Sequence, residues 1–431
     1  MVITKKGLVL GTTALALSTV AVTGAGIHLS QSQALIQSGP KETIDEVWQI
    51  INHQYVDTTF NHTDWLKVRQ EYVKNATYEG KEDSYKAIRE MLGKLEDPYT
   101  RFMNPEEFKN MQIDTSGELT GVGIQISADK KTNQLIVISP IEDTPAAEAG
   151  ILAQDLITKI DGKDTKGMDV NDAVGLIRGK RGTYVTLTID RNGKVQDYDI
   201  IRETIEIHPV RASVRDTQLG KVGYIRLTTF NEHAARDMQQ AISEQEQANV
   251  VGYVLDLRSN PGGLLYASID IARMWINQGT IVSTVDRQGI SDRESAKNKA
   301  LTDKPLVVLV DGGSASASEI LSGALKDNKR ATLLGTQTFG KGLVQSVRPL
   351  GDGSGMAVTI AKYLTPNGTD INKEGIPPDV VVKLDESQLQ ELYGGDRSKL
   401  GTQADPQFSR ALDVLNEDIQ AQKSVEPQAV K

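Results

Sequence analysis

Five consecutive apolar residues, Leu306–Val310, run into a glycine pair, three alternating serines and an amphipathic stretch, and this order leaves few folds open. A strand apolar at every position must be covered on both faces, because a half-exposed strand would alternate. Gly312 and Gly313 end it. Beyond Ser318, Ile320, Leu321, Ala324 and Leu325 recur at helical spacing, and Glu319 places an acid in the first turn, where the helix dipole favours it. Ser314, Ser316 and Ser318 therefore mark a helix start behind a buried strand. Free backbone N–H groups at such a terminus can stabilise an oxyanion, so a serine there has half of an acyl-transfer site. A plain helix cap accounts for the same serines, since serine is a favoured N-cap residue.

Lys341, in F-G-K-G, supplies a candidate general base, and Gln345 follows it four residues later. Glycines on both sides let the chain pass close to another segment. A lysine accepts a hydroxyl proton only as the neutral amine, so its pKa must fall by several units, each worth about 1.4 kcal/mol, and desolvation is the means. A glutamine amide can fix the amine without adding charge. The alternative is a solvated loop lysine. Among the five histidines, His28 lies in the leader, His53 and His62 in the amino-terminal helical region and His208 in an I-H-P turn; only His233 suits a cleft as a rival base. There is no cysteine and no H-E-x-x-H pair, which excludes a thiol protease, a thiolate metal site and that metalloprotease pattern. A second glycine loop, L-D-L-R-S-N-P-G-G-L-L, follows the apolar run 250–257 and precedes a helical stretch, so the N–H of Gly262 or Gly263 can approach a substrate carbonyl. By itself N-P-G-G is a turn.

S-A-S-A-S-E-I, A-L-K-D-N-K-R-A, F-G-K-G-L-V-Q-S-V and D-I-N-K-E-G-I-P-P-D-V resemble the carboxyl-terminal processing peptidases, serine proteases with a Ser-Lys dyad often completed by glutamine. The resemblance runs from about residue 42 to about residue 385. It implies Ser316 as nucleophile, Lys341 as base and Gln345 as its orienting partner. It also implies an oxyanion hole from a glycine of the 262–263 pair and the N–H of Ala317.

At 431 residues the chain suits two or three domains, and 48 basic against 57 acidic side chains, net −9 with no basic run, argue against nucleic acid. Lys5 and Lys6, an apolar stretch over 7–27 and a polar S-Q-S-Q-A have the shape of an export signal, with cleavage near Ala34, or of an uncleaved anchor that would bring membrane association. Residues 41–110 read as helical. Residues 115–206 read as short strands and turns, and G-V-G-I-Q-I with T-P-A-A-E-A-G-I-L-A-Q-D-L-I-T-K-I-D-G is similar to a PDZ domain. In it, Gly121, Val122, Gly123 and Ile124 would aim backbone donors at a peptide's terminal carboxylate. Gln154 stands where the family usually has glycine, and Arg178 matches a hinge segment where an arginine can couple peptide occupancy to the active arrangement; its plain reading is a surface charge. Strand-like runs at 222–227, 250–257, 281–285, 306–310, 331–335 and 356–363 alternate with helices, and beyond 386 a polar tail holds one helical stretch at 411–419.

The expected fold is a multidomain α/β chain: a helical N-terminal region, an inserted PDZ-like β-rich domain and an α/β serine-protease core over 207–385. The expected function is an exported endopeptidase that recognises free C-termini and cuts nearby through an acyl-enzyme, with no metal or organic cofactor. Its partners would be protein substrates, a photosystem II reaction-centre precursor among those the resemblance suggests. The rival is a PDZ-bearing scaffold or chaperone with an inactive core.

Overall fold

The computed structural model describes residues 39–129, 134–141, 143–393 and 397–425, so the expected export signal or anchor lies outside the described residues. Among those described, no helix is long and apolar enough to cross a membrane.

Leu306–Val310 is the middle of a six-stranded sheet in the order 210–217, 220–227, 252–256, 306–310, 332–335, 380–381. The first pair is antiparallel and the rest are parallel. Its five residues are all buried, and they divide by parity. Leu306, Val308 and Val310 face the helices Ala234–Gln247, Leu265–Trp275 and Ala317–Asp327. Val307 and Leu309 face Phe408, Ala411, Val414 and Leu415 of the C-terminal helix Pro406–Val425. The unbroken apolar run is the consequence of covering both faces. The helix expected over 411–419 is thus longer, and it is a wall of the core.

A second, antiparallel sheet is organised by the long strand Gly355–Leu364. One of its edges carries Leu343–Pro349, with a register shift between Val344 and Gln345. The other carries both Thr280–Asp286 and the short strand Arg101–Met103 from the N-terminal region, where Arg101 pairs with Ala357. Trp48, Trp65, Tyr85 and Phe102 of that region pack with Met356 and Val358, so the N-terminal helices are seated on the core. The helix Pro105–Ser116 follows, capped by Asn104, whose side chain accepts from the Glu107 N–H. Gly355 lets it settle, because a Cβ there would meet the Phe108 ring at 2.3 Å.

The β-rich domain is inserted between two adjacent strands, Glu118–Gly121 and Glu203–Glu206, which pair antiparallel. Its five main strands run in the order 124–128, 135–140, 156–160, 184–191, 194–201 around Leu135, Val137, Ile157, Val185 and Leu187. The G-V-G-I-Q-I stretch is not one continuous strand: Val122 is buried and Gly123 turns through φ +83° beneath Thr144. Gln154 adopts φ +69°, which explains the glycine usual at this place. The strand Lys194–Ile201 went unread because its alternation is mostly polar on an exposed edge.

Gly355→Ala should cost about 1–3 kcal/mol of stability by overpacking against Phe108. Denaturant melts of the two proteins measure this; an unchanged midpoint would mean that the helix Pro105–Ser116 is not seated as described.

Candidate active site

The three serines separate by environment. The Ser314 hydroxyl is buried and donates to the Leu257 carbonyl at 2.8 Å; the Ser318 hydroxyl, also buried, donates to the Asn260 carbonyl at 2.9 Å. Both tie the helix start to the glycine loop. Ser316 instead lines a cavity of about 380 Å³. Its backbone stands at φ +54°, ψ −114°, a conformation that costs a non-glycine residue of the order of 1–3 kcal/mol and needs support from its surroundings.

Glu319 supplies much of that support. Its carboxylate, fully buried, accepts the N–H of Ser316 at 2.9 Å, of Lys341 at 2.9 Å and of Gly340 at 2.7 Å, and the Thr338 hydroxyl at 2.6 Å. Four donors offset the desolvation of a buried charge. The carbonyls of the same two residues are bridged from the other side, since the Tyr363 hydroxyl donates to Lys341 O at 2.7 Å and Ser316 O at 3.2 Å. Gly340 and Gly342 let the lysine loop pack against the segment 372–375, where Cβ atoms would crowd the backbone of 373–375 and of Asn372.

The Lys341 side chain is largely covered, and its Nζ lies 4.9 Å from the centre of the Tyr99 ring. Burial pushes the amine below the ordinary lysine value and the Arg101 guanidinium pushes it further, while the carboxylates of Asp97 and Glu319 pull against both. Tyr99 and Arg101 line the cavity. They are delivered by the turn at Asp97, whose carboxylate accepts from the hydroxyls of Thr100 at 2.7 Å and Thr359 at 2.6 Å. Gln345 lines the cavity beside them, its Nε2 buried without a partner.

In the glycine loop, Gly262 and Gly263 both have positive φ, +102° and +141°. The Gly262 N–H is spent on the Asn260 side chain at 2.9 Å. A Cβ on Gly262 would collide with Ala315 O, Ser316 Cβ and Ala317 N, so the loop lies directly against the helix start. Gly263 and Ala317 line the cavity. His233 does not: it precedes the helix Ala234–Gln247, with Nε2 3.8 Å from Glu118 and its ring 6.0 Å from that of His208, whose Nδ1 meets Asp237 at 2.8 Å. Among the described residues no acid or histidine cluster could hold a metal ion.

Away from the cavity, the Val122 and Gly123 carbonyls accept from Ala146 and Ile141, so the 121–124 loop is held from within its domain. Arg178 caps the end of the helix Val170–Ile177 and donates to the Asn110 side chain at 3.0 Å. Asn110 lies on Pro105–Ser116, whose Met111 and Thr115 line the cavity. The contact therefore joins the inserted domain to one cavity wall. Sequence reading missed Tyr99, Arg101, Tyr363 and the bridging role of Glu319. The D-P-Y-T-R-F motif was the available signal for the first two, and a glutamate three residues after the candidate serine was the signal for the last.

Residues 221–382 match peptidase family S41, and residues 136–191 match a PDZ domain, which is the inserted β-rich domain. The carboxyl-terminal-processing protease of Synechocystis sp. is 45% identical over 396 residues, 91% of each chain. Carboxyl-terminal-processing peptidase 3, chloroplastic, of Arabidopsis thaliana is 41% identical over 79% of this chain and 68% of that one. Among solved structures, a photosystem II D1 C-terminal processing protease superposes with a TM-score of 0.56 at 38% identity, covering 86% of this chain and 99% of its own. With such identity along nearly its whole length, the chain belongs to the carboxyl-terminal-processing proteases of peptidase family S41.

Proposed function

We propose that the protein is an exported endopeptidase that captures the free C-terminus of a protein substrate on its PDZ domain and cleaves nearby through an acyl-enzyme on Ser316. The observation that carries this reading is the double bridge, Glu319 to both N–H groups and Tyr363 to both carbonyls, that sets Ser316 and Lys341 on one cavity. Neutral Lys341 takes the Ser316 Oγ proton as the oxygen attacks the scissile carbonyl. Because Glu319 occupies the Ser316 N–H and Asn260 occupies the Gly262 N–H, the oxyanion falls to the N–H groups of Ala317 and Gly263. The resulting ammonium returns its proton to the leaving amine. Lys341 then deprotonates the water that hydrolyses the ester. This chemistry asks the amine to turn from the Tyr99 ring to the hydroxyl, and in this reading Gln345, on the same cavity with its Nε2 unpartnered, orients it.

The 121–124 loop is the carboxylate seat in this reading, and the Arg178–Asn110 contact is the route by which an occupied PDZ domain bears on the cavity wall. The relative named for photosystem II D1 C-terminal processing makes a reaction-centre precursor the first substrate to test.

Ser316→Ala should leave a folded protein with no measurable peptide hydrolysis, whereas Ser314→Ala and Ser318→Ala should each lose about 0.5–1.5 kcal/mol of stability for a buried hydrogen bond whose carbonyl keeps a backbone donor, and keep turnover when folded. Turnover surviving in Ser316→Ala would move the nucleophile elsewhere.

The kcat/KM profile should rise with pH as Lys341 loses its proton. Arg101→Gln removes a charge that disfavours the ammonium, so the amine pKa rises and the profile moves to higher pH. Glu319→Gln removes a charge that favours the ammonium, so the profile moves to lower pH while kcat falls by roughly 10-fold or more as the bridge is lost. Profiles that stay fixed in both variants would take the base role from Lys341.

A peptide ending in a free carboxylate should be cleaved faster than its amide, and Arg178→Ala should narrow the difference. Equal rates for acid and amide in the parent protein would remove the carboxylate-capture model.

A further inference from the structure

The match to the peptidase family ends at residue 382, but the hydrogen bonds that hold the glycine loop continue past it. Arg258 stands at the root of that loop, fully buried, with every N–H of its guanidinium spent. Nε donates to Asp256 Oδ1 at 2.9 Å and Nη2 to Asp256 Oδ2 at 2.6 Å. Nη2 also reaches Asp405 Oδ2 at 2.7 Å, and Nη1 reaches Asp405 Oδ1 at 3.1 Å and Gln407 Oε1 at 2.8 Å. Asp405 and Gln407 belong to the C-terminal segment, at the start of the helix Pro406–Val425.

This fork is not needed to dock the helix. Phe408, Ala411, Val414 and Leu415 already bury an apolar stripe on the sheet, and buried ion pairs stabilise a fold no better than apolar packing of similar volume. What a fully satisfied guanidinium adds is fixed geometry at one point. That point lies two residues from Asn260. Between them Ser259 takes φ +56°, its N–H held by Asp311 at 2.8 Å, so the turn is strained and clamped on both sides. Asn260 then uses its Nδ2 on Leu227 O at 2.8 Å, its Oδ1 on the Gly262 N–H and its carbonyl on Ala315 N–H at 3.0 Å and the Ser318 hydroxyl. The chain of contacts runs from the C-terminal segment to both sides of the oxyanion site without a gap.

We propose that the C-terminal segment is a positioning element of the oxyanion loop: Asp405 and Gln407 hold Arg258, and Arg258 sets the loop from which Asn260 and the Gly263 N–H meet the nucleophile turn. The inference rests on the assignment of Gly263 and Ala317 as oxyanion donors. A donor displaced by a fraction of an ångström weakens the transition state more than the bound substrate. Loss of the fork should therefore appear in kcat rather than in KM.

The test uses the full-length protein, a peptide substrate with a free carboxyl terminus, and a peptide aldehyde that forms a tetrahedral adduct with the serine. Asp405→Asn, Arg258→Lys and Gln407→Leu are compared with Leu415→Ala, which loosens the apolar face of the same helix and leaves the fork alone. In the fork variants kcat should fall by about 10- to 100-fold with KM within about two-fold, and aldehyde affinity should fall in parallel with kcat. Leu415→Ala should lower Tm while keeping kcat per folded molecule. If Asp405→Asn does not fold, Gln407→Leu, which removes one hydrogen bond from the fork and one to the Val382 carbonyl, decides the matter with a smaller drop of the same kind. Wild-type kcat in the fork variants beside an inactive Ser316→Ala would overturn the inference alone, as would an equal kcat loss in Leu415→Ala. An active Ser316→Ala would overturn the catalytic assignment, and this inference with it.

Discussion

A single buried carboxylate governs the geometry of the cavity. Glu319 sits in the first turn of its helix, where three backbone N–H groups and a hydroxyl converge on it from two segments of chain. Leaving any one of those donors unmet in this dry interior would cost about 1–3 kcal/mol, so the four bonds stand or fall together. The Ser316 backbone is held in an unfavourable region, and the lysine loop is drawn down between glycines, because both are anchored to the same group. The charge carries an opposing electrostatic effect, since it favours the protonated amine of Lys341. Burial and Arg101 act in the other direction.

The walls of the cavity come from pieces far apart in the chain. The strand Arg101–Met103 reaches the edge of Gly355–Leu364 and brings Tyr99 and Arg101; the loop after Gly252–Asp256 brings the glycines; Pro105–Ser116 closes one side and carries the contact to Arg178. The PDZ domain, entering and leaving through the paired strands Glu118–Gly121 and Glu203–Glu206, therefore has its base next to the helix that forms that side.

Much of this was legible in the sequence because the signals were local. A continuous apolar run meant a strand buried on both faces, the double glycine meant its end, and the glycines around Lys341 meant close passage; each holds in the structure. Residue type alone does not choose among Ser314, Ser316 and Ser318, since all three suit a helix start; the resemblance points to Ser316, and the fold adds that the other two hydroxyls are spent on Leu257 and Asn260. The roles of Tyr99, Arg101 and Tyr363 depend on pairing between distant strands, which periodicity does not encode. The C-terminal helix was underestimated because its polar face dominates its composition, although Phe408, Ala411, Val414 and Leu415 trace the stripe that the sheet covers.

The pairing of residues 101–103 with 355–357 has a consequence for how the enzyme comes into being. Contacts of such long range form late, because the entropy of closing the loop is spent before the contact returns anything. The sheet also keeps one apolar face bare until residues 406–425 fold over it. A chain still being synthesised, or one cut short, therefore carries Ser316 without the surroundings that the finished structure gives it. The cavity is thus a property of the completed fold rather than of the segment that holds the serine.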